Sequence, residues 1–136
     1  MFTSNKPLIV ATPGSAGHEL LSEIDTIIKP GTRLLIDTGV KIKIPIGYYG
    51  DVKPKSRLAM KGIDIGAGVI DSDYTGNIRA LLINNGTSDL IIKKNDAIAQ
   101  LVLSPYVLFS NSIIGSTDLE HTGFGSTDEV VRKINS

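Results

Sequence analysis

Between Gly66 and Asn77 the chain crowds together the residue types that hydrolytic chemistry needs. Two carboxylates, Asp71 and Asp73, and a phenol, Tyr74, directly follow the small residues Gly66-Ala67-Gly68 and the apolar pair Val69-Ile70. Small residues let backbone approach a ligand closely, and a carboxylate at the edge of an apolar run is suited to orienting and deprotonating a water. A glycine-rich hairpin with a solvated Asp-x-Asp turn has the same composition, so this cluster alone leaves both readings open. A second cluster is Pro54-Lys55-Ser56-Arg57. There a strand gives way to a short helix, and two cations, a hydroxyl and backbone N–H groups converge on a helix N-terminus. That is either an anion site or a first turn with solvated basic side chains; the Gly-x-x-x-x-Gly-Lys-Ser/Thr spacing of a P-loop is absent. Gln100 interrupts the apolar run of residues 98–103. An amide buried without partners costs about 1 to 3 kcal/mol, so Gln100 either bonds to neighbouring backbone or serves a ligand. Phe124, between Gly123 and Gly125 in a polar stretch, has no core of its own to fill; it reads as a ring that stacks on a planar ligand or as an anchor for the tail.

These residues must be positioned by strands. The apolar stretches are short, rich in Ile and Val, and broken every eight to twelve residues by Gly, Pro, Asn or Asp, the punctuation of an all-β domain. The pattern predicts strands over residues 7–12, 24–28, 33–44, 48–53, 77–84, 90–92 and 97–108. Alternation in Val40-Lys41-Ile42-Lys43-Ile44 places the lysines on a solvated face. The near-continuous runs at 80–83 and 98–103 read instead as strands covered on both sides. Helix is expected only over residues 56–61, closed by Gly62. From Ser110 on, the chain turns polar and rich in Gly, Ser and Thr, and residues 110–136 read as an arm that leaves a single domain spanning 1–136.

Composition excludes several functions. The 136 residues carry 14 Lys+Arg against 14 Asp+Glu and no Cys. Zero net charge argues against a non-specific nucleic-acid binder. Without cysteine there is no disulfide frame, thiolate nucleophile, Cys-ligated zinc or iron–sulfur cluster. Two histidines are too few for a histidine-built centre, which leaves carboxylates and phosphate oxygens as ligands and favours Mg2+ if a metal is used. The apolar run from Leu8 to Ala11 is too short for a signal-peptide core or a spanning helix. The expectation is a soluble intracellular protein, cytoplasmic or nuclear, that binds neither nucleic acid nor membrane.

Taken in order, five segments between Ala16 and Thr127 resemble the five motifs of the trimeric deoxyuridine triphosphatases (dUTPases). Ala16-Gly17-His18-Glu19-Leu20 resembles Ala-Gly-x-Asp-Leu, and Pro54-Lys55-Ser56-Arg57-Leu58-Ala59 resembles Pro-Arg-Ser-Gly-Leu-Ala. Residues 68–77, from Gly68 to Asn77, are close to the third motif in full and are the most specific match. Asp96-Ala97-Ile98-Ala99-Gln100-Leu101 and Gly123-Phe124-Gly125-Ser126-Thr127 resemble the fourth and fifth. The resemblance implies an all-β fold, a distorted jelly-roll-like β-barrel with one short helix and an extended C-terminal arm. It also implies a homotrimer with active sites at subunit boundaries, and Mg2+-dependent hydrolysis of dUTP to dUMP and pyrophosphate. On that resemblance Asp71 would align the attacking water, and Tyr74 would pack under the deoxyribose where a 2′-hydroxyl would clash. Backbone from Gly68 and Val69 to Asp71, and at Ile78 and Arg79, would read the uracil edge. Phe124, with Gly125 and Ser126 on another subunit's arm, would cover the base. Lys55, Ser56 and Arg57 would hold phosphates, Gln100 would support both a phosphate and the metal's waters, and Glu19 would reach the metal through water.

Four departures from the motif pattern touch the phosphate end. Glu19 stands where Asp is usual, Lys55 where Arg is usual, Arg57 where a small residue is usual, and Leu119 at the place of the fifth motif's arginine. Lys55 keeps the charge but loses the bidentate fork, and Arg57 is expected to replace part of the cation missing at Leu119. The alternative these departures leave open is a catalytically weakened relative that binds a deoxynucleotide or a protein partner. A dCTP deaminase shares the fold but should be longer and need not carry Asp73-Tyr74, and a capsid or lectin jelly roll would bind no nucleotide.

Overall fold

The structure, a computed structural model, describes residues 1–110. Along the chain run β1 (Thr3–Ser4), β2 (His18–Leu21), β3 (Thr26–Ile28), β4 (Arg33–Asp37), β5 (Ile42–Lys43) and β6 (Tyr48–Lys53). After β6 come α1 (Ser56–Ala59), β7 (Ile63–Gly66), β8 (Val69–Ile70), β9 (Arg79–Asn84), β10 (Leu90–Ile92) and β11 (Ala97–Pro105). Among the described residues all strand pairings are antiparallel. They make a four-stranded sheet of order β2-β11-β6-β8, a three-stranded sheet β4-β9-β7, and the ribbons β1-β5 and β10-β3.

The two larger sheets turn their apolar faces to one core. Leu20, Val52, Ile70, Ala99 and Leu101 come from the first, Ile36, Ile63, Ala80 and Leu82 from the second, and Ile78 and Leu58 close the gaps. Burying each such Leu or Ile contributes roughly 1.5 to 3 kcal/mol. The result is the expected all-β, jelly-roll-like fold. Its short helix is α1, two residues shorter than the expected 56–61, and the chain leaves it through Gly62 at φ +83°. A Cβ on Gly62 would lie 2.9 Å from Gly86 backbone, so the stop serves close packing as well as the turn.

Several boundaries differ from the sequence expectation. Residues 7–12 form no strand, only a bridge from Val10 to His18. The expected strand over 33–44 is cut into β4 and β5, because Asp37 accepts from the Gly39 N–H at 2.8 Å and Gly39 takes φ +68°. β1, β2, β7 and β8 were not anticipated. Among the described residues the covering expected over both faces of residues 80–83 is incomplete: beside β9, Leu35 is exposed, and Leu81 and Ile83 are only half-buried.

Candidate functional site

Four of the five motif segments lie on or next to neighbouring strands of one sheet. β2 carries Glu19, β11 carries Gln100, β6 leads into Pro54-Lys55-Ser56-Arg57, and β8 leads into Asp71. Register sets the first three in a row, since Gln100 pairs with Glu19 on one side and with Lys53 on the other. Ala99 and Leu101 face the core, so Gln100 and Glu19 share the opposite face of the sheet.

At this end Lys55 Nζ donates to Glu19 Oε1 at 2.6 Å, with both side chains about four-fifths buried. Gln100 Nε2 donates to the Pro54 carbonyl at 3.2 Å, which anchors the turn before α1. Gly17 leaves the room this needs: a Cβ there would stand 2.8 Å from Gln100 Oε1. Ser56 opens α1 without a side-chain cap from Lys55, and Arg57 is exposed. The cluster therefore holds two cations, a carboxylate and an amide around one short turn. Among the described residues no three His, Asp or Glu side chains gather into a metal cage. Mg2+ needs none, since it is commonly held by one or two carboxylates together with substrate phosphates and waters, and the Glu19 carboxylate beside Gln100 is a donor set of that kind.

The other end is built where the chain crosses between sheets. β7 belongs to the three-stranded sheet and β8 to the four-stranded one, and Gly66-Ala67-Gly68 makes the crossing with Ala67 at φ +48°. Non-glycine residues seldom adopt that conformation. Gly68 lies so close to β6 that a Cβ would stand 2.6 Å from the Val52 carbonyl, while the Gly68 carbonyl accepts from Val52 N–H at 2.7 Å. After β8 the Tyr74 N–H closes a turn on the Asp71 carbonyl at 3.1 Å, and the Tyr74 hydroxyl donates to the Asn77 carbonyl at 2.6 Å. Asp71, Tyr74 and Arg79 line one hollow of about 310 Å³ with Leu35, Ala67, Val69 and Ile70.

Sequence reasoning missed Asp37, at the rim of this loop. Its two oxygens accept from Asn77 Nδ2 at 3.2 and 3.1 Å, and Oδ1 also accepts from Gly39. The Gly39 N–H and then the Asn77 amide hold its carboxyl below the usual carboxylate range, with the charge of Arg79 adding to them against a smaller effect of burial. No sequence signal marked it: only the folded ladder, in which Asp37 stands opposite Arg79, brings it to this loop.

One site residue sits differently from its expected role. Ile78 is fully buried, its N–H donates to Val40 at 2.7 Å, and its carbonyl accepts from the N–H and the hydroxyl of Thr38. Both of its backbone groups are thus engaged in the fold rather than presented to a base. Phe124, Gly125, Ser126 and Leu119 lie outside the described residues. Within one chain the two ends stay apart: Asp71 follows the Ile70–Gly50 pair, which places it four residues along β6 from Lys53, roughly 13 Å at strand spacing.

Comparison with known proteins gives one family. The dUTPase family model matches residues 5–128. The deoxyuridine 5′-triphosphate nucleotidohydrolase of cowpox virus (strain GRI-90 / Grishak) is 45% identical over 119 residues, covering 85% of this chain and 81% of that protein. Its counterpart in vaccinia virus (strain Copenhagen) is 44% identical over the same shares. Among solved structures, the native EIAV dUTPase matches with a TM-score of 0.78 at 28% identity, over 85% of this chain and 97% of that one. A dUTPase from phage phi11 of S. aureus, described with a coordinated structural Mg(II) ion, has the same fold: TM-score 0.76 at 20% identity, over 84% and 96%.

Proposed function

The chain belongs to the dUTPase family, and from that premise we propose that it hydrolyses dUTP to dUMP and pyrophosphate. The observation that carries this reading is the hollow that takes in both Asp71 and Tyr74. A carboxylate and a phenol three residues apart there face one ligand-sized space. Asp71 orients a water against the α-phosphorus and accepts its proton. A new O–P bond forms as the bond from the α-phosphorus to the bridging oxygen breaks, and pyrophosphate leaves. Tyr74 packs under the deoxyribose, backbone from Gly68 and Val69 to Asp71 and at Arg79 meets the base, and Ile78 fixes that backbone from the core side. Lys55, Ser56 and Arg57 hold the phosphates, and Phe124 with Gly125 and Ser126 closes over the base. Mg2+, held through water by Glu19 and Gln100, would offset the triphosphate's charge of about minus four.

The assembly that fits this chemistry is a homotrimer whose sites are shared. The separation of Asp71 from Lys55 within one chain supports it, because the two would meet across a subunit boundary. So do the exposed Leu35 beside the half-buried Leu81 and Ile83, and, separately in sequence, the exposed Val107, Leu108 and Phe109.

Pyrophosphate release from dUTP with Mg2+, run beside dCTP, dTTP and UTP, tests the reading. Selective release from dUTP is expected, and Asp71→Asn should lower it by about a hundred- to ten-thousandfold. Equal turnover of dCTP, or an undiminished variant, would overturn it.

A further inference from the structure

Asp37 lies outside every motif segment, yet the loop after β8 is tied to it. A run of hydrogen bonds leads from the β4 corner to the phenol. Gly39 N–H donates to Asp37, Asn77 Nδ2 donates to both Asp37 oxygens, and the Asn77 carbonyl accepts from the Tyr74 hydroxyl. Gly76 leaves the ring its place: a Cβ there would come within 2.7 Å of the hydroxyl and 2.9 Å of Cζ. The fold does not need the Asp37–Asn77 contact in order to close. Ile78 is already joined to the same corner by three other bonds, its N–H to Val40 and the Thr38 N–H and hydroxyl to its carbonyl. The carboxylate thus ties the loop that carries Tyr74 to the β4 corner, over and above the bonds that close the fold there.

We propose that Asp37 is a positioning residue for sugar recognition, acting through Asn77 to fix the Tyr74 ring against the hollow shared by Asp71 and Arg79. This rests on the reading of Tyr74 given above. A ring that rejects a 2′-hydroxyl by contact discriminates only while it cannot give way, and specificity is a difference between two affinities. Loosening the ring weakens the fit of deoxyribose and relieves the clash with ribose, so both changes lower the preference.

The test compares kcat and KM for dUTP and UTP, with Mg2+, in the unaltered protein, Tyr74→Ala, Asp37→Asn, and the exchange Asp37→Asn with Asn77→Asp. In the exchange, the amide at position 37 donates to the carboxylate at position 77 and still accepts from Gly39. Asp37→Asn should lower the dUTP-to-UTP ratio of kcat/KM about tenfold, the size of one lost charge-assisted contact. The loss should fall mainly on KM, and the exchange should restore most of it. If Tyr74→Ala shifts the ratio and Asp37→Asn leaves it unchanged, the proposal is overturned and the reading of Tyr74 stands. If Tyr74→Ala leaves the ratio unchanged, that reading fails and takes the proposal with it. Should Asp37→Asn not fold, judged by its melting temperature, the exchanged protein decides: a native ratio supports the proposal, and one as low as that of Tyr74→Ala overturns it.

Discussion

Glu19 carries one methylene more than the aspartate usual at its place, and Lys55 carries an ammonium where a guanidinium is usual, yet the two side chains meet at 2.6 Å. A point charge on a flexible stem needs a carboxylate brought to it, where a guanidinium fork could span the gap. The longer acid supplies that reach, so the two departures form one matched contact rather than two separate losses. Because the pair is mostly buried, removing one partner leaves the other poorly solvated. Urea unfolding of Glu19→Gln, Lys55→Met and the double variant should therefore give a coupling energy of about 1 to 2 kcal/mol. Strict additivity would show that the contact contributes nothing.

At the scale of elements, the crossing at Gly66-Ala67-Gly68 positions Asp71, the proposed catalytic carboxylate. It is tight because β8 runs against β6 with no space for a side chain at Gly68. Gly68→Ala should destabilise the fold by about 1 to 3 kcal/mol, the range for overpacking, and should lower kcat by displacing Asp71. A melting temperature and activity both unchanged would mean that β8 can move away freely. In the sequence this glycine reads as a point where backbone approaches a ligand, and the structure adds that its nearest neighbour is the protein's own strand. The same limit explains which strands were legible. β6, β9 and β10 were found to within two residues because their apolar runs are bounded by strong turns. β8 escaped because a two-residue strand carries too little pattern to register, and β7 because its Ile-Asp-Ile-Gly runs without a break from the Gly62 stop into the glycine-rich crossing. β2 escaped because Glu19 faces the site, so His18–Leu21 lacks the usual pattern of alternation. The motif residues were legible by type and spacing, whereas Asp37 and Asn77 meet across 40 positions and only the β4–β9 ladder brings them together.

At the scale of the whole molecule, the distance between Asp71 and Lys55 makes an assembly experiment decisive. Chains carrying Asp71→Asn and chains carrying Lys55→Met should each be nearly inactive alone. Unfolded together and refolded as a mixture, they should regain a fraction of the original pyrophosphate release, since some boundaries would then join two unaltered halves. No recovery, in mixed oligomers confirmed by mass, would place each complete site within one chain. The carboxylate of Asp37 adds a further consequence, through proton uptake. Its folded-state value lies below the ordinary one of about 3.9, so its contribution to stability is whole above that pH and drains away as acidity passes through the lowered value. Mild acid leaves the charge that draws Asn77 to this corner intact, and strong acid removes it, so the loop that carries Tyr74 is held less firmly by the same proton that weakens the corner of the fold.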